Sequence, residues 1–461
     1  MNWQTVLTAM LPEHLLLAGI VLLMSVELVT RNSRAALALS LLSVAAAALA
    51  AFVLYANGVV AAPFAGQFSV DPGTSLAKAV VLALALPVLL MSRAEFSDSR
   101  FHILLLTSLY GACLLPSSDT YLTLFLGIEL LSLPVYVLVL LAYARPQSAE
   151  AALKYLVLSG TASATFLMGV SLLYGATGSM SIATFAAALG AGDTLSTLAV
   201  VLILAAFFLK AAIVPFHAWA PDAYEASSVT VTGFMSTIVK AAVLLAVLRL
   251  FGEARVERPL LDLLVLLPLV SIVWGNLAAM RQASLRRLIA YSSIAHAGYL
   301  FFAFLGEGPT RYEAVIFYVI AYGLMNLVAF AALPTNADDA ARDRLDGLQG
   351  LFQRSPASAV LIAIAMLSLA GIPPLPGFVA KFLIFKNVIE AGYTLYAVAG
   401  LVGSYLGIYF YLRVIQLMFM NAEQPAAGEA GARRLAFGAA ALCLAPAILI
   451  AVFPGALIGR L

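Results

Sequence analysis

The six lysines are the residues whose type and placement point to chemistry. Lys78, Lys154, Lys210, Lys240, Lys381 and Lys386 all fall inside apolar stretches, while the loops between those stretches use arginine. Arginine keeps its charge under ordinary conditions, whereas a buried lysine is able to give up its proton. A chain that segregates the two in this way keeps its titratable cations at membrane depth. Residues 196–240 carry the pattern furthest. An apolar helix bearing Lys210 meets a break at Pro215, His217, Trp219 and Pro221, and a second apolar helix bearing Lys240 follows. A lysine at the centre of an apolar membrane helix costs about 2.5–3.5 kcal/mol to insert. Two of them around a proline break point to a buried ion path more than to packing.

Glu129 lies near the middle of TYLTLFLGIELLSLPVYVLVLL and is the natural partner of such a lysine. An opposite charge within about 4–6 Å favours the ionised forms, and burial opposes them. A buried Glu–Lys pair is therefore a proton switch that opening and closing would operate. The alternative is a neutral, hydrogen-bonded carboxyl and a set of static structural cations. Glu129 with Lys210, Lys240 and Lys381 would cost on the order of 10 kcal/mol to insert, which a plain scaffold has little reason to carry. Lys154 sits nearer its span end and is either a path residue or a snorkelling side chain. Lys78, at the start of its span, and Lys386 read as interfacial anchors. Glu27, four residues before Arg31, reads as a surface pair. His296, in YSSIAHAGYL, lies at mid-span with an ordinary pKa suited to proton transfer. His217 follows the break. A lone histidine is more often a satisfied core residue than a proton carrier, and the mid-span place of His296 raises it above His217 as a path residue. Asp222 and Glu225 are either a proton entry or polar cover.

These residues need a membrane frame to position them. The chain has 461 residues, 63% of them hydrophobic and 10% charged. Soluble domains carry about 25% charged residues. Apolar runs recur from end to end, so the fold class is an all-α polytopic membrane protein. About fourteen spans are expected, near 12–30, 35–56, 75–92, 101–117, 119–143, 149–174, 196–218, 227–250, 260–280, 284–305, 312–334, 356–391, 394–419 and 434–457. The segment 356–391 is too long for one straight crossing and contains GIPPLPG, so it is expected to be a broken helix.

With the N-terminus outside, Arg31, Arg34, Arg93, Arg100, Arg145, Arg281, Arg286, Arg287, Arg342, Arg344, Arg354, Arg433 and Arg434 fall on the inner side. Arg255, Arg258, Arg311 and Arg460 fall outside, with Arg255 and Arg258 beside Glu253 and Glu257 as the weakest fit. The asymmetry follows the positive-inside rule and places both termini in the periplasm. Spans 4–8 and 9–13 each end with a broken helix and one further span. This implies two inverted five-helix repeats, with Lys210 and Lys381 both on the outer side of their breaks. The division is 1–100 for an N-terminal three-helix segment, 101–250 and 251–420 for the repeats, and 421–461 for a linker and final helix.

Several function classes are excluded or disfavoured. A net charge of +2 gives no reason to expect nucleic acid. No GxGxxG or GxxxxGK[ST] motif is present, and Cys113 and Cys443 make neither a disulfide framework nor a metal site. The N-terminus has no signal-peptide pattern. No cofactor is expected in this chain. Residues 335–355 read as a partner-binding surface helix or a solvated linker, and 421–432 as a flexible linker.

The stretches FLGIELLSLPVYVL, LKAAIVPFHAWAPDAYE, RLIAYSSIAHAGYL and LAGIPPLPGFVAKF, in this order and spacing, resemble the antiporter-like membrane subunits of respiratory NADH:quinone oxidoreductase (complex I). The likeness covers most of the chain and is strongest over 119–420. Lysine rather than histidine at position 240, lysine at 381 and the absence of a long lateral helix place it within one branch of that family. The resemblance implies a fourteen-helix fold with inverted repeats and a proton-translocating role in a bacterial inner membrane. Glu129 and Lys210 would form the switch, Lys240 the central relay and Lys381 the exit-side residue, with Lys154 also implicated. NADH, FMN, iron–sulfur clusters and quinone are expected in partner subunits, beside other membrane subunits of the same complex. One departure is ASSVTVT at 226–232, where the family has prolines in a pattern like GAPxPVT. The rival readings are a subunit of a multi-subunit Na+/H+ antiporter, against which Lys240 argues, and a purely structural scaffold.

Overall fold

A computed structural model of the chain describes residues 3–29, 32–96, 98–141, 146–252, 254, 260–306, 308–334, 343–420, 433–456 and 458. In hydrocarbon each backbone polar group must be satisfied within its own segment, and these apolar stretches do so as helices. Among the described residues, twelve helices are long and apolar enough to cross a membrane. The shorter Ser99–Leu114 and the broken pair Pro356–Ala370 and Pro376–Glu390 complete the order read from the sequence. In chain order the spans are 1 (Leu11–Val29), 2 (Ser33–Ala56), 3 (Pro72–Ser92), 4 (Ser99–Leu114), 5 (Tyr121–Leu141), 6 (Pro146–Thr177) and 7 (Thr194–Ala211, continued by Trp219–Ala226). There follow 8 (Val229–Phe251), 9 (Leu260–Ala279), 10 (Leu285–Phe302), 11 (Gly308–Ala331), 12 (the broken pair), 13 (Thr394–Phe419) and 14 (Arg433–Val452).

The connections alternate between two polar faces. On one face, strands β1 (Ala61–Phe64) and β2 (Phe68–Val70) form an antiparallel hairpin between spans 2 and 3. Phe68 bridges to Ser118, and Arg249 of span 8 pairs with Asp71 and Asp119. On the other face, Arg287 pairs with Asp222 and Glu225, and Arg286 with Asp343. Arg311, buried, donates to the carbonyls of Gly306, Gly252 and Ala254, tying two connections together on the hairpin face. Arg31, Arg145, Arg255, Arg258, Arg342, Arg460, Glu253, Glu257 and the linker 421–432 lie outside the described residues.

The two five-span sets share local devices. Span 4 packs on span 5 at Gly111, where an added Cβ would lie 2.3 Å from the Leu131 nitrogen. Span 9 packs on span 10 at Gly275, where a Cβ would lie 2.7 Å from the Ala295 nitrogen and the Tyr291 oxygen. The first half of each broken helix ends in a left-handed residue, Ala212 (φ 60°) in span 7 and Gly371 (φ 86°) in span 12. That conformation turns the chain out of the helix while the amides of Ala212 and Ile213, and of Gly371 and Ile372, bond back to carbonyls of the last turn.

Two expectations are corrected. Lys78 is no interfacial anchor. Its helix starts earlier than the apolar pattern suggests, because Pro72 opens it and Asp71 and Thr74 form a capping box. Lys78 therefore lies nearly two turns in, fully buried, with its Nζ 2.7 Å from Glu13 Oε1. The described part of 335–355 is neither surface helix nor solvated linker. Asp343, Leu345, Leu348 and Leu351 are buried, and Asp343 anchors the segment to Arg286; residues 335–342 lie outside the described set. The turn at 226–232 needs no proline. Ser228 caps span 8 by accepting from the Val231 amide, and Glu95 accepts from the Thr230 amide. Lys386, by contrast, pairs with Glu390 on the surface. Glu27 accepts from the Ser99 hydroxyl.

Candidate functional site

Glu129 and Lys210 meet between spans 5, 6 and 7. Lys210 lies in the last turn of the first half of span 7, the negative end of that half-helix, where a cation is favoured. Its Nζ is 3.8 Å from Glu129 Oε1, beyond a direct hydrogen bond. At this separation two unit charges attract by about 4 kcal/mol at an effective dielectric of about 20. The short-range bonds go to hydroxyls instead. Lys210 donates to Ser159 Oγ at 2.5 Å and to Ser132 Oγ at 3.2 Å, and the Ser163 hydroxyl donates to Glu129. A cavity of about 10 Å³ beside Ile128, Ser163, Phe207 and Lys210 has room for about one water. The pair is thus held slightly open inside a ring of groups that both donate and accept.

Aromatic side chains lead away from this pair. The Tyr136 hydroxyl reaches Ser132 and Ser159. Its ring meets Tyr155 edge-on at 4.7 Å, and Tyr155 stacks on Trp219 at 4.3 Å. Trp219 meets Tyr224, whose hydroxyl reaches Ser293. Trp219 and Tyr224 belong to the short helix beyond the span 7 break, so the break delivers this bridge.

Ser293 opens the second half of the site. Lys240 donates to the Ser293 carbonyl at 2.8 Å and also to its hydroxyl. Lys240 directly follows a π-helical turn, Met235–Val239, inside span 8; such turns recur at functional sites. Span 10 presents Ser293, His296 and Tyr299 at a spacing that sets them along one helix face. His296 Nδ1 lies 2.7 Å from the Tyr318 hydroxyl and Nε2 3.1 Å from the Tyr411 hydroxyl. A neutral imidazole accepts at one nitrogen and donates at the other, so His296 can be bonded to both hydroxyls at once. The Tyr299 ring lies edge-on to His296 at 5.6 Å and faces Lys381 Nζ at 5.0 Å. Lys381 donates to Ser404 Oγ and to the Ala370 carbonyl, each at 3.0 Å. Ala370 ends the first half of span 12, so this cation also sits at a half-helix C-terminus.

The structure therefore brings Lys210, Lys240, His296 and Lys381, all buried, and the partly exposed Glu129 into one sequence of contacts. Lys154 stands apart. Span 6 has 32 residues and is about 48 Å long, against about 30 Å of hydrocarbon. Lys154 accordingly emerges on the arginine face, where it pairs with Glu150 and Asp222, each at 2.8 Å. Asp222 and Glu225 belong to that surface ion network. His217 accepts from Trp274 Nε1 at 3.0 Å and lies off the line. The serines and tyrosines that connect the cations were not singled out from the sequence, because hydroxyls in apolar helices carry no distinguishing pattern.

The family model described as NADH:quinone oxidoreductase/Mrp antiporter, TM, matches residues 118–407. The NADH-quinone oxidoreductase subunit N of Pelobacter propionicus is 38% identical, with 91% of each chain covered. A chain in the structure of respiratory complex I from Thermus thermophilus with bound aureothin superposes with a TM-score of 0.83 at 34% identity, covering 97% of this chain and 99% of that one. A chain of the Mrp complex from Dietzia sp. superposes at 0.86 with 23% identity, covering 100% and 96%, a likeness of fold alone. The family match over most of the chain and the 38% identical relative show that this chain belongs to the NADH:quinone oxidoreductase/Mrp antiporter family of membrane subunits.

Proposed function

We propose that this chain is the proton-translocating subunit N of an NADH:quinone oxidoreductase. The observation that carries the reading is the line of contacts from the partly exposed Glu129 and buried Lys210 through Lys240 and His296 to Lys381. Closing the 3.8 Å gap stabilises the charged Glu129–Lys210 pair. Opening it leaves an ammonium among hydroxyls, free to pass a proton toward Ser293 and Lys240. Charge arriving at Lys240 then favours transfer along His296 and Tyr299 to Lys381. NADH oxidation and quinone reduction take place in other subunits, which hold the FMN, iron–sulfur clusters and quinone. This chain supplies no redox centre and works beside other membrane subunits of the same complex. The arginine face is the cytoplasmic one in a bacterial inner membrane, with both termini periplasmic; the distribution of arginine supports this orientation. The sodium antiporter reading rests only on shared fold, whereas the 38% identical relative carries the quinone reductase name.

Lys240→Met tests the reading. The substitution keeps the side-chain length and removes the cation, so the complex is expected to assemble on a native gel. NADH-driven proton uptake by inverted vesicles is expected to fall at least tenfold. Uptake at the wild-type level in the assembled complex overturns the reading.

A further inference from the structure

We propose that the cavity beneath the hairpin is a hydrated proton vestibule, with the Glu13–Lys78 ion pair as its proton-holding floor. This goes beyond the Glu129–Lys381 line and rests on the proposed function only for the source of its protons.

The ion pair itself is unusual. Glu13 in the first turn of span 1 and Lys78 in span 3 are each 0% exposed, 2.7 Å apart. Among the described residues, neither makes a hydrogen bond beyond that pairing, and the equally buried hydroxyls of Ser75 and Ser117 make none either. Two carboxylate oxygens, an ammonium and two hydroxyls thus have unmet hydrogen-bonding capacity in one region. Buried polar groups in this condition are normally completed by ordered water.

A route for that water adjoins them. A cavity of about 350 Å³ is lined by Asp71, Thr74, Ala77, Pro116, Leu245 and Arg249. Thr74, Ala77 and Lys78 are spaced to share one face of span 3, so Lys78 is the next position inward along the stripe that walls the cavity. Ser75 and Ser117 directly follow Thr74 and Pro116 in the chain. Helical side chains lean back toward the helix N-terminus, and Lys78 Nζ does so, lying 5.0 Å from the Phe68 ring of the hairpin. The rim is a clamp: Arg249 holds Asp71 at 3.0 Å and Asp119 and Ser69 at 2.8 and 2.7 Å. Leu245 and Arg249 continue the helix that carries Lys240, so span 8 also walls this cavity. The titratable groups around the pair are Tyr110 and Cys113 of span 4 and, at the rim, Asp71, Asp119, Arg249, Tyr312 and Tyr55. The chemistry is proton transfer alone: hydronium in the vestibule protonates the Glu13 carboxylate and becomes water, and the reverse step returns the proton.

The test uses the whole complex in its membrane and three forms of this chain: wild type, E13Q–K78M and A77L. The double variant leaves no lone buried charge, so it is expected to assemble at the wild-type level on a native gel. Infrared difference spectra between mildly acidic and alkaline buffer are then compared. The wild type is expected to show a carboxylic C=O band that shifts in heavy water and is missing from E13Q–K78M. A77L narrows the cavity without altering the pair, and is expected to slow the heavy-water shift at least tenfold. Spectra that coincide for wild type and E13Q–K78M overturn the proposal, as does a shift rate unchanged in A77L. If either result is found while Lys240→Met still abolishes proton uptake, the vestibule fails and the proposed function stands.

Discussion

Removing the Asp343 carboxylate should loosen the arginine face by an amount that can be worked out in advance. Arg286 and Asp343 are 1% and 0% exposed at their side chains, with Nη2 2.8 Å from Oδ1. The Arg286 amide donates to Asp343 Oδ2 and the Leu285 amide to the Asp343 carbonyl, each at 2.8 Å. Arg286 also donates to the Ser227 carbonyl, at the turn that feeds span 8. One ion pair therefore ties the start of span 10, the approach to span 12 and the turn between the two halves of the line. Breaking a buried pair by removing one partner costs about 3–5 kcal/mol, because the other charge stays buried. That is about 10²–10⁴ in an opening equilibrium. Hydrogen exchange of the assembled complex reads this factor directly, since amides in a locally opening unit exchange in proportion to its open population. In Asp343→Ala the amides of Leu285, Arg286 and Leu345 should exchange about 10²–10⁴ times faster. In the double variant Asp343→Ala, Arg286→Met the rate should return to within about tenfold of wild type, because no lone charge remains. A single variant that changes exchange less than tenfold, or a double variant as fast as the single, refutes the reasoning.

Other consequences can be checked separately. Ala212 occupies a left-handed conformation that costs an alanine about 1–2 kcal/mol, so Ala212→Gly should raise the melting temperature or leave it unchanged. Gly371→Ala imposes that cost and sets a Cβ 3.0 Å from Lys381 Cδ; proton uptake should fall more than assembly. Gly275→Val places a side chain against the span 10 backbone, and should abolish assembly on a native gel where Gly190→Val, in open space, does not. Burial opposes ionisation of Asp222, but hydrogen bonds and charge from Lys154 and Arg287 outweigh it and hold the carboxyl below its usual range. Its contribution to stability is therefore complete above the ordinary aspartate pKa of about 3.9 and disappears as pH falls through the lower folded value. Asp222→Asn should remove that acid limb from a plot of melting temperature against pH, and an unchanged limb would count against the pairing.

The parts of the fold that were legible in the sequence are those written in runs and breaks. Uninterrupted apolar stretches marked the spans, GIPPLPG and IVPFHAWAPD marked the broken helices, and lysine at mid-span marked the buried cations. What sequence could not show were partnerships between distant helices. Lys78 looked like a span-end residue because the apolar run begins at 75, whereas the capping box at Asp71 starts the helix earlier. Glu13 gave no signal alone, since an acid in a first turn is ordinary helix chemistry. Lys154 could be read either as a path residue or as snorkelling because span 6 is apolar beyond the thickness of a bilayer. The serines that receive Lys210, Lys240 and Lys381 are common small residues in packed membrane helices, and only the fold selects which of them face a lysine. At 226–232, where the sequence departs from the pattern of the family it resembles, Ser228 supplies the cap that starts span 8.

The central claim is that Glu129 and Lys210 operate a proton switch coupled to electron transfer elsewhere in the complex. Inverted membrane vesicles carrying Lys210→Ala test it most directly, with NADH-driven quinone reduction and proton uptake followed together and assembly confirmed on a native gel. The account predicts an assembled complex in which both activities collapse. Both activities at wild-type levels in the assembled complex would contradict it, and would make Lys210 a structural cation.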